Sequence, residues 1–113
     1  MPHVIVEFSR SLESGFDTVQ LLRACHNSLL ASGQFKEKDI KVRLYPCDHA
    51  LVAGKCANFL HVIVYMLSGR AKNTKKELAE QLLATLGEFR LPAASCSVDV
   101  RDLDREIYCK MTG

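Results

Sequence analysis

The chain has 113 residues, of which 48% are hydrophobic and 25% charged, and its formal net charge at pH 7 is +2. These values are typical of one folded domain with a hydrophobic core, and so small a charge does not by itself indicate a nucleic-acid partner. No segment approaches the roughly 18 consecutive apolar residues that cross a bilayer. The first residues also lack a basic region followed by an apolar one, so no secretory signal is visible and we expect a cytoplasmic protein.

The first half of the chain, over about residues 2–46, predicts a strand, a helix and a second strand. Alternating apolar residues from His3 to Phe8 indicate the first strand, which would bury one of its faces. Apolar residues at helical spacing indicate the helix, with Asp17 as its N-cap and Gly33 just beyond its end. This amphipathic helix would cover the apolar face of the strand.

The second strand, predicted over residues 40–45, places two cationic side chains on one face. Its residues alternate so that Lys41 and Arg43 point away from the apolar positions, and Pro46 ends the run. Because the helix would cover the apolar face, both cations are expected on the face that the helices leave open.

The second half of the chain, over about residues 59–101, repeats the order of strand, helix and strand. Residues 59–67 are almost all apolar, which is typical of a strand buried on both faces. A helix follows from a capping box that begins at Thr74. Alternation then predicts a strand over residues 95–101, and a short last strand over residues 106–111.

Two β-α-β units with right-handed crossovers place both helices on the same side of a four-stranded mixed sheet. We therefore predict a single domain over residues 1–113 with the architecture of a two-layer α/β sandwich. One helical layer covers only one face of the sheet, and the strand at residues 59–67 is apolar on its other face as well. We expect that second face to be buried against another subunit, which predicts an oligomer.

Cationic side chains gather at two places in this layout. Lys41 and Arg43 project from the open sheet face, where an unpaired charge would be costly once buried. Arg70 follows the third strand, and the lysines of residues 72–76 crowd a helix start, where the helix dipole disfavours each cation by about 0.3–1 kcal/mol. Such a corner would attract anions, and an arginine can hold a carboxylate through two parallel hydrogen bonds. For any one of these side chains, a solvated surface charge is the simplest alternative.

The same basic helix start could instead hold the phosphates of a nucleic acid, an interpretation that we rank lower. No aromatic residues are interleaved over residues 70–76, no nucleic-acid-binding motif is recognisable, and the net charge is small.

The five cysteines have no paired spacing, and in a cytoplasmic chain they are most simply reduced thiols that act as small apolar side chains. A metal site would draw on Cys47, His49 and Cys56, whose spacing matches no usual zinc pattern. His26 or His61 would have to complete such a set, and we predict no metal ligands. A catalytic cysteine–histidine pair is a further alternative, because the number of cysteines and histidines allows such a pair by chance. No local signature supports it.

The amino terminus offers a different chemistry. Pro2 follows the initiator Met1, and a small second residue favours removal of that methionine. Pro2 would then carry a free secondary amine at the start of a strand, and such a group can accept and release protons. Prolines at the second position are common and usually carry no function, so other residues have to support this hypothesis.

Several of these features together resemble the tautomerase superfamily, and within it the 5-carboxymethyl-2-hydroxymuconate isomerases. The resemblance rests on the Met1–Ser9 segment, the double β-α-β layout, the run at residues 40–45 and the Ser68-Gly69-Arg70 turn. It extends over most of the chain, and it is strongest at the start and weakest over the last dozen residues.

This resemblance implies a tautomerase-like fold, a homotrimer with active sites at subunit boundaries, and an amino-terminal proline as the catalytic group. In this chain that proline is Pro2. The family's arginine near the end of the third strand corresponds to Arg70. Its arginine on the second strand corresponds to Lys41, and a further arginine corresponds to Arg43 two residues later, so all three residues are expected to bind substrate. The lysine keeps the positive charge but loses the bidentate fork of an arginine.

The implied reaction is keto–enol isomerisation of a dicarboxylic or tricarboxylic dienol from aromatic compound catabolism, without a metal or organic cofactor. Pro2 would take the proton of the 2-hydroxyl group and return a proton to carbon, while Arg70 and Lys41 lower its pKa and bind the substrate carboxylates. Neither a nucleic-acid nor a membrane partner is expected. The alternative from another class is a non-catalytic trimeric binding or signalling module on the same scaffold, which applies if Met1 stays in place and Pro2 remains an amide.

Overall fold

The computed structural model describes residues 1–113, and the predicted alternation of strands and helices is present in both halves. The main elements, in chain order, are β1 (His3–Ser9), α1 (Thr18–Ala31), β2 (Lys41–Cys47), β3 (Phe59–Leu67), α2 (Lys72–Gly87) and β4 (Ser95–Leu103). Short 3₁₀ helices at Arg10–Gly15 and Glu37–Asp39 lie in the connections that flank α1. Neither α1 nor α2 has the length and hydrophobicity that a membrane crossing requires.

The four strands form one mixed sheet in the order β2-β1-β3-β4. β1 is parallel to β2 and β3 is parallel to β4, so each half of the chain is a β-α-β unit. The two halves meet where β1 and β3 run antiparallel at the centre of the sheet. This topology confirms the predicted four-stranded mixed sheet with two helices.

The hydrophobic core lies between the sheet and the two helices. The central strands turn every second side chain toward the helices, and these side chains are buried: Val4, Val6, Phe8, Leu60, Val62, Val64 and Met66. The helices contribute Leu21, Cys25, Leu29, Leu78, Leu82 and Leu86 to the same cluster. Because both helices bury residues in one cluster, they cover the same face of the sheet. Full burial of each large aliphatic side chain stabilises the fold by roughly 1.5–3 kcal/mol.

The beginning and end of α1 follow the capping signals in the sequence. The carboxylate of Asp17 accepts hydrogen bonds from the backbone N–H groups of Val19, at 2.8 Å, and Gln20, at 3.2 Å. These bonds satisfy N–H groups that lack helical partners, an effect worth about 1 kcal/mol. Beyond the last turn, Gly33 has a φ of 74°, the left-handed conformation that glycine adopts without steric cost.

The sheet face away from the helices carries the alternate side chains of the same strands. On the central strands these are half-buried and include His3, Ile5, Ile63 and Tyr65. The register places His3 beside Lys41 and Ile5 beside Arg43, so both predicted cations lie on this open face.

Three element boundaries differ from the predictions. α2 begins at Lys72, with Ala71 as an N-cap that has no capping side chain, because the first helical hydrogen bond runs from the N–H of Lys75 to the carbonyl of Ala71. Thr74 is therefore inside the first turn. β2 continues through Pro46, which is tolerated because β2 is an edge strand. β4 extends to Leu103.

The short last strand predicted over residues 106–111 is absent. After β4 the carboxylate of Asp104 accepts from the N–H of Glu106 at 2.9 Å, and its carbonyl accepts from Ile107 and Tyr108 at 3.2 and 3.0 Å. This turn uses the backbone N–H groups that a strand would offer to a neighbour. The apolar side chains of Ile107 and Met111 are exposed rather than alternating into a core.

Two adjacent leucines of α2 test the position of the core. Leu82 is fully buried, whereas Leu83 is 41% exposed. We predict that Leu82→Ala lowers the free energy of unfolding by roughly 2–5 kcal/mol, because it leaves a cavity beneath the helix. The matched control Leu83→Ala should lower it by less than about 1 kcal/mol. Urea denaturation measures both values, and equal losses would contradict this packing of α2.

Candidate functional site

A pocket of about 500 Å³ opens at the amino terminus of the chain. Because β1 and β3 are antiparallel, the start of β1 lies beside the end of β3. Four segments therefore meet here, namely Met1, residues 34–39 before β2, the β3–α2 connection at Leu67 and Arg70, and the carboxyl-terminal segment. The pocket joins parts of the chain that are far apart in sequence.

The charged side chains that line this pocket are predominantly cationic. Asp39 is its one acidic residue, and the basic residues are Lys36, Lys38, Arg70, Arg105 and Lys110. Five positive charges against one negative charge give the pocket a strong excess of positive potential. A concave surface with such an excess of positive charge raises the local concentration of anions.

Arg70 is held in place on one side of the pocket. Its Nη2 donates to the backbone carbonyl of Gln34 at 2.8 Å, and its Nε donates to the side-chain oxygen of Gln34 at 3.3 Å. The guanidinium carbon lies 4.7 Å from the centre of the Phe35 ring, a cation–π contact. These contacts leave its other N–H groups available to a ligand.

Arg105 lies against the backbone of the turn that precedes Arg70. Its Nε donates to the carbonyl of Ser68 at 2.6 Å. Gly69 has a φ of 123°, a conformation that favours glycine, and a Cβ there would lie 3.6 Å from the Arg105 Nε. The Ser68-Gly69-Arg70 turn therefore fixes two arginines at one wall of the pocket.

Pro2 and Lys41 lie beside the amino terminus. The side chain of Pro2 is fully buried, and its carbonyl accepts a hydrogen bond from the N–H of Lys41 at 3.1 Å. The Lys41 ammonium donates to the carbonyl of Asp39 at 2.9 Å. The pKa of the Met1 amino group lies below its usual value, mainly through burial and then through the charges of Lys41 and Lys110, while Asp39 acts in the opposite direction.

Arg43 does not line the pocket. Its Nη1 lies 3.1 Å from Nδ1 of His3, and Nε2 of His3 lies 3.1 Å from the hydroxyl of Tyr108. Burial and then the positive charge of Arg43 lower the pKa of His3, with smaller contributions from Lys41, the amino terminus and Lys110. Of the predicted site residues, Arg70 lines the pocket together with Met1. Pro2 and Lys41 lie beside the amino terminus without lining the pocket, and Arg43 contacts His3.

The carboxyl-terminal segment supplies pocket residues that the sequence patterns did not indicate, namely Arg105, Tyr108 and Lys110. The strand predicted over residues 106–111 concealed Tyr108 and Lys110, although Asp104, directly before Arg105, offered a turn signal. The lysines at the start of α2 do not line the pocket, and Lys75 instead forms an ion pair with Asp102 at 3.1 Å.

The cysteines are free thiols, and Cys25 is the one that is buried. Burial raises the pKa of Cys25 to about 12. Cys47 and Cys56 line an open depression of about 650 Å³ near the other end of β2, where the Cys47 thiol donates to the backbone carbonyl of His49 rather than to its ring. The structure contains no group of three or more histidine, cysteine or acidic side chains arranged to hold a metal ion.

Solved structures with the same architecture identify the fold as that of the tautomerases. A 5-carboxymethyl-2-hydroxymuconate isomerase from Deinococcus radiodurans R1 has a TM-score of 0.85 and 23% identity over 99% of this chain and 90% of that chain. Pt0534 inactivated by 2-oxo-3-pentynoate has a TM-score of 0.84 and 20% identity over 98% and 93%. A fused 4-OT wild-type asymmetric trimer has a TM-score of 0.77 and 13% identity over 96% and 91%. These identities show the fold alone.

The family itself is shown by the sequence. The model of the 5-carboxymethyl-2-hydroxymuconate isomerase family matches residues 2–110, so the chain belongs to this family of isomerases. No curated protein sequence matches the chain.

The environment of His3 gives a testable pKa. We predict that His3 titrates below its usual value of about 6.5, and that Arg43→Met raises the midpoint by removing a positive neighbour. Because the folded chain then holds fewer protons on His3 than the unfolded chain, stability is lost as pH falls through about 6.5 toward the folded pKa.

Histidine ring NMR as a function of pH measures this midpoint, with His3→Gln to assign the signal. Arg23→Met, which removes an exposed charge on α1, is the matched control and should leave the midpoint unchanged. A midpoint at or above 6.5, or one that Arg43→Met does not raise, would contradict the geometry described above.

Proposed function

We propose that this chain catalyses keto–enol isomerisation of a carboxylated 2-hydroxymuconate-like dienol, with the amino-terminal proline as general acid and base. The observation that carries this proposal is the cationic pocket in which Arg70 and the amino terminus meet. Membership of the 5-carboxymethyl-2-hydroxymuconate isomerase family supports the class of reaction. The chemistry is assigned to Pro2 because a secondary amine can both accept and return a proton.

The substrate carboxylates are proposed to bind to the cationic wall. Arg70 is oriented by Gln34 and keeps free N–H groups, so it suits bidentate binding of one carboxylate. Lys41 supplies a point charge beside the amino group. Arg43 would act on the site indirectly, because its guanidinium contacts His3 and does not line the pocket.

The proton transfer requires Pro2 as the first residue of the mature chain. Burial, Lys41 and Lys110 lower the pKa of the amino group at this end of the chain, and the same surroundings would favour the neutral form of a proline amine. The neutral amine accepts the proton of the 2-hydroxyl group, and the resulting ammonium returns a proton to a carbon of the diene. The product is the conjugated ketone, and the amine is regenerated.

The surrounding cations would stabilise the charge that this reaction creates. Removal of the hydroxyl proton places negative charge on the dienolate oxygen, and fixed positive groups lower the energy of that intermediate without reorganising. The proposed steps use no metal ion and no organic cofactor.

We further propose that the active assembly is a homotrimer, in which the open sheet face packs against neighbouring subunits. The apolar side chains of Ile63 and Tyr65 on that face support this arrangement. The trimeric assembly of the fused 4-OT proteins, which share this fold, supports it as well.

A non-catalytic trimeric binding module is the second candidate, and it applies if Met1 stays in place. With Met1 attached, the nitrogen of Pro2 is an amide without a basic lone pair. Intact-mass measurement of the protein made in its own host separates the two candidates, because retained Met1 supports the binding module and its removal supports the isomerase.

Electrophilic labelling combined with turnover tests the isomerase directly. We expect the protein without Met1 to isomerise 2-hydroxymuconates or phenylenolpyruvate-like enols, followed by absorbance. We also expect 2-oxo-3-pentynoate, an electrophilic alkynyl ketone, to modify Pro2 in proportion to the activity lost. Pro2→Ala should lower kcat/KM by about 10²-fold or more, because it replaces the positioned secondary amine.

Pro92→Ala is the matched control, since Pro92 is exposed in the connection after α2 and should leave kcat/KM unchanged. Undiminished turnover after complete modification of the Pro2 amine would show that this nitrogen is not the acid–base group.

A further inference from the structure

Tyr108 connects the open sheet face to the cationic pocket. Its side chain lines the pocket, and its hydroxyl lies 3.1 Å from Nε2 of His3. Nδ1 of the same ring lies 3.1 Å from Nη1 of Arg43. Three side chains from β2, β1 and the carboxyl-terminal segment thus form one hydrogen-bonded chain that ends in the pocket.

The direction of each hydrogen bond in this chain follows from the groups themselves. A guanidinium group can only donate, so Nδ1 of His3 must accept the bond from Arg43. A neutral imidazole carries one N–H, which is therefore on Nε2 and donates to the hydroxyl oxygen of Tyr108. If Tyr108 donated instead, both ring nitrogens would be acceptors and His3 would have to be an anion. The hydroxyl proton of Tyr108 is consequently not bound to His3, and it is available to a ligand of the pocket that Tyr108 lines.

The surroundings of His3 keep it in the neutral form that this chain requires. Burial and the nearby charges of Arg43, Lys41, Lys110 and the amino terminus lower the pKa of His3. A hydroxyl oxygen that accepts a hydrogen bond also becomes a stronger donor, because successive hydrogen bonds polarise one another.

The position of Tyr108 is fixed more firmly than that of its neighbours. The backbone N–H of Tyr108 donates to the carbonyl of Asp104 at 3.0 Å, and its ring meets the His3 ring edge-on with centroids 6.1 Å apart. Tyr108 is half-buried, whereas Ile107 and Cys109 on either side are exposed. A hydroxyl held in this way needs little ordering when a ligand binds.

We propose that the Tyr108 hydroxyl donates a hydrogen bond to the substrate oxygen on which negative charge develops, and that His3 and Arg43 are positioning residues for it. This assignment deepens the proposed isomerase function and rests on it for the identity of the oxygen. The ligand class is a dicarboxylate with an oxygen on the carbon next to one carboxylate, such as a 2-oxo or 2-hydroxy acid. The carboxylates would contact the arginines and lysines of the pocket, and the oxygen would contact Tyr108.

Tyr108→Phe tests the proposal because it removes the donor and keeps the ring. We expect kcat for enol substrates to fall by roughly 10²-fold with little change in KM, as for loss of a single donor to a developing oxyanion. Tyr45→Phe, which removes an exposed hydroxyl on β2 outside the pocket, is the matched control. His3→Leu should lower kcat as Tyr108→Phe does, and His3→Gln should restore part of the loss because its amide can donate to Tyr108.

A binding measurement separates this proposal from the isomerase function. By calorimetry, the wild-type protein should bind 2-oxoadipate about 10-fold more tightly than adipate, and Tyr108→Phe should bind the two equally. If this preference is present and lost in the variant while no enol is turned over, the isomerase proposal fails, and Tyr108 stands as the donor to the 2-oxo oxygen of a bound dicarboxylate. A wild-type protein without the preference, or a variant that keeps it, would overturn the assignment.

Discussion

Positive charge collected around a partly buried amino group is the interaction on which the proposed chemistry depends. The amino terminus lies in a pocket with five basic side chains and one acidic side chain, and burial with the charge of Lys41 lowers its pKa. Positive charge near an amine favours its neutral form, and positive charge in a pocket attracts carboxylates. Lys110 belongs to both groups of charges, since it lines the pocket and lowers the pKa of the amino group. Under the proposed function, a base and a binding site for an anionic substrate arise from this one arrangement.

The duplicated β-α-β architecture explains why these groups meet. Since the central strands are antiparallel, the start of β1 and the end of β3 lie at the same end of the sheet, which brings Arg70 to the amino terminus. The parallel partner β2 places Lys41 directly beside His3. The carboxyl-terminal segment then returns across this end of the sheet, where Lys110 lies 3.5 Å from Asp39 and Tyr108 reaches His3. The pocket thus results from the antiparallel pairing of β1 and β3 and from the carboxyl-terminal segment that packs across the same end of the sheet.

The sequence patterns were sufficient for most of the fold and for part of the candidate site. The alternation in β1 and β3 and the cap at Asp17 are local signals. Such signals predict the folded structure when they agree with the pattern of residues that become buried. The amino-terminal Pro2, Lys41 and Arg70 could be proposed because the family resemblance names their positions.

The carboxyl-terminal segment could not be predicted in this way. Its apolar residues alternate, but the turn at Asp104 competes with strand formation and determines the outcome. The contact between His3 and Tyr108 joins residues 105 positions apart, and no local pattern encodes such a pairing. The contact of the Arg43 guanidinium with His3 is likewise one that no local pattern encodes.

A nitrogen-15 NMR titration of the amino-terminal proline in the protein without Met1 tests the central claim most directly. We predict that this amine titrates below its usual value near 8, that Lys41→Gln raises the midpoint, and that Asp39→Asn lowers it further. A midpoint at or above the usual value that neither substitution moves would contradict the proposal that these charges prepare Pro2 for proton transfer.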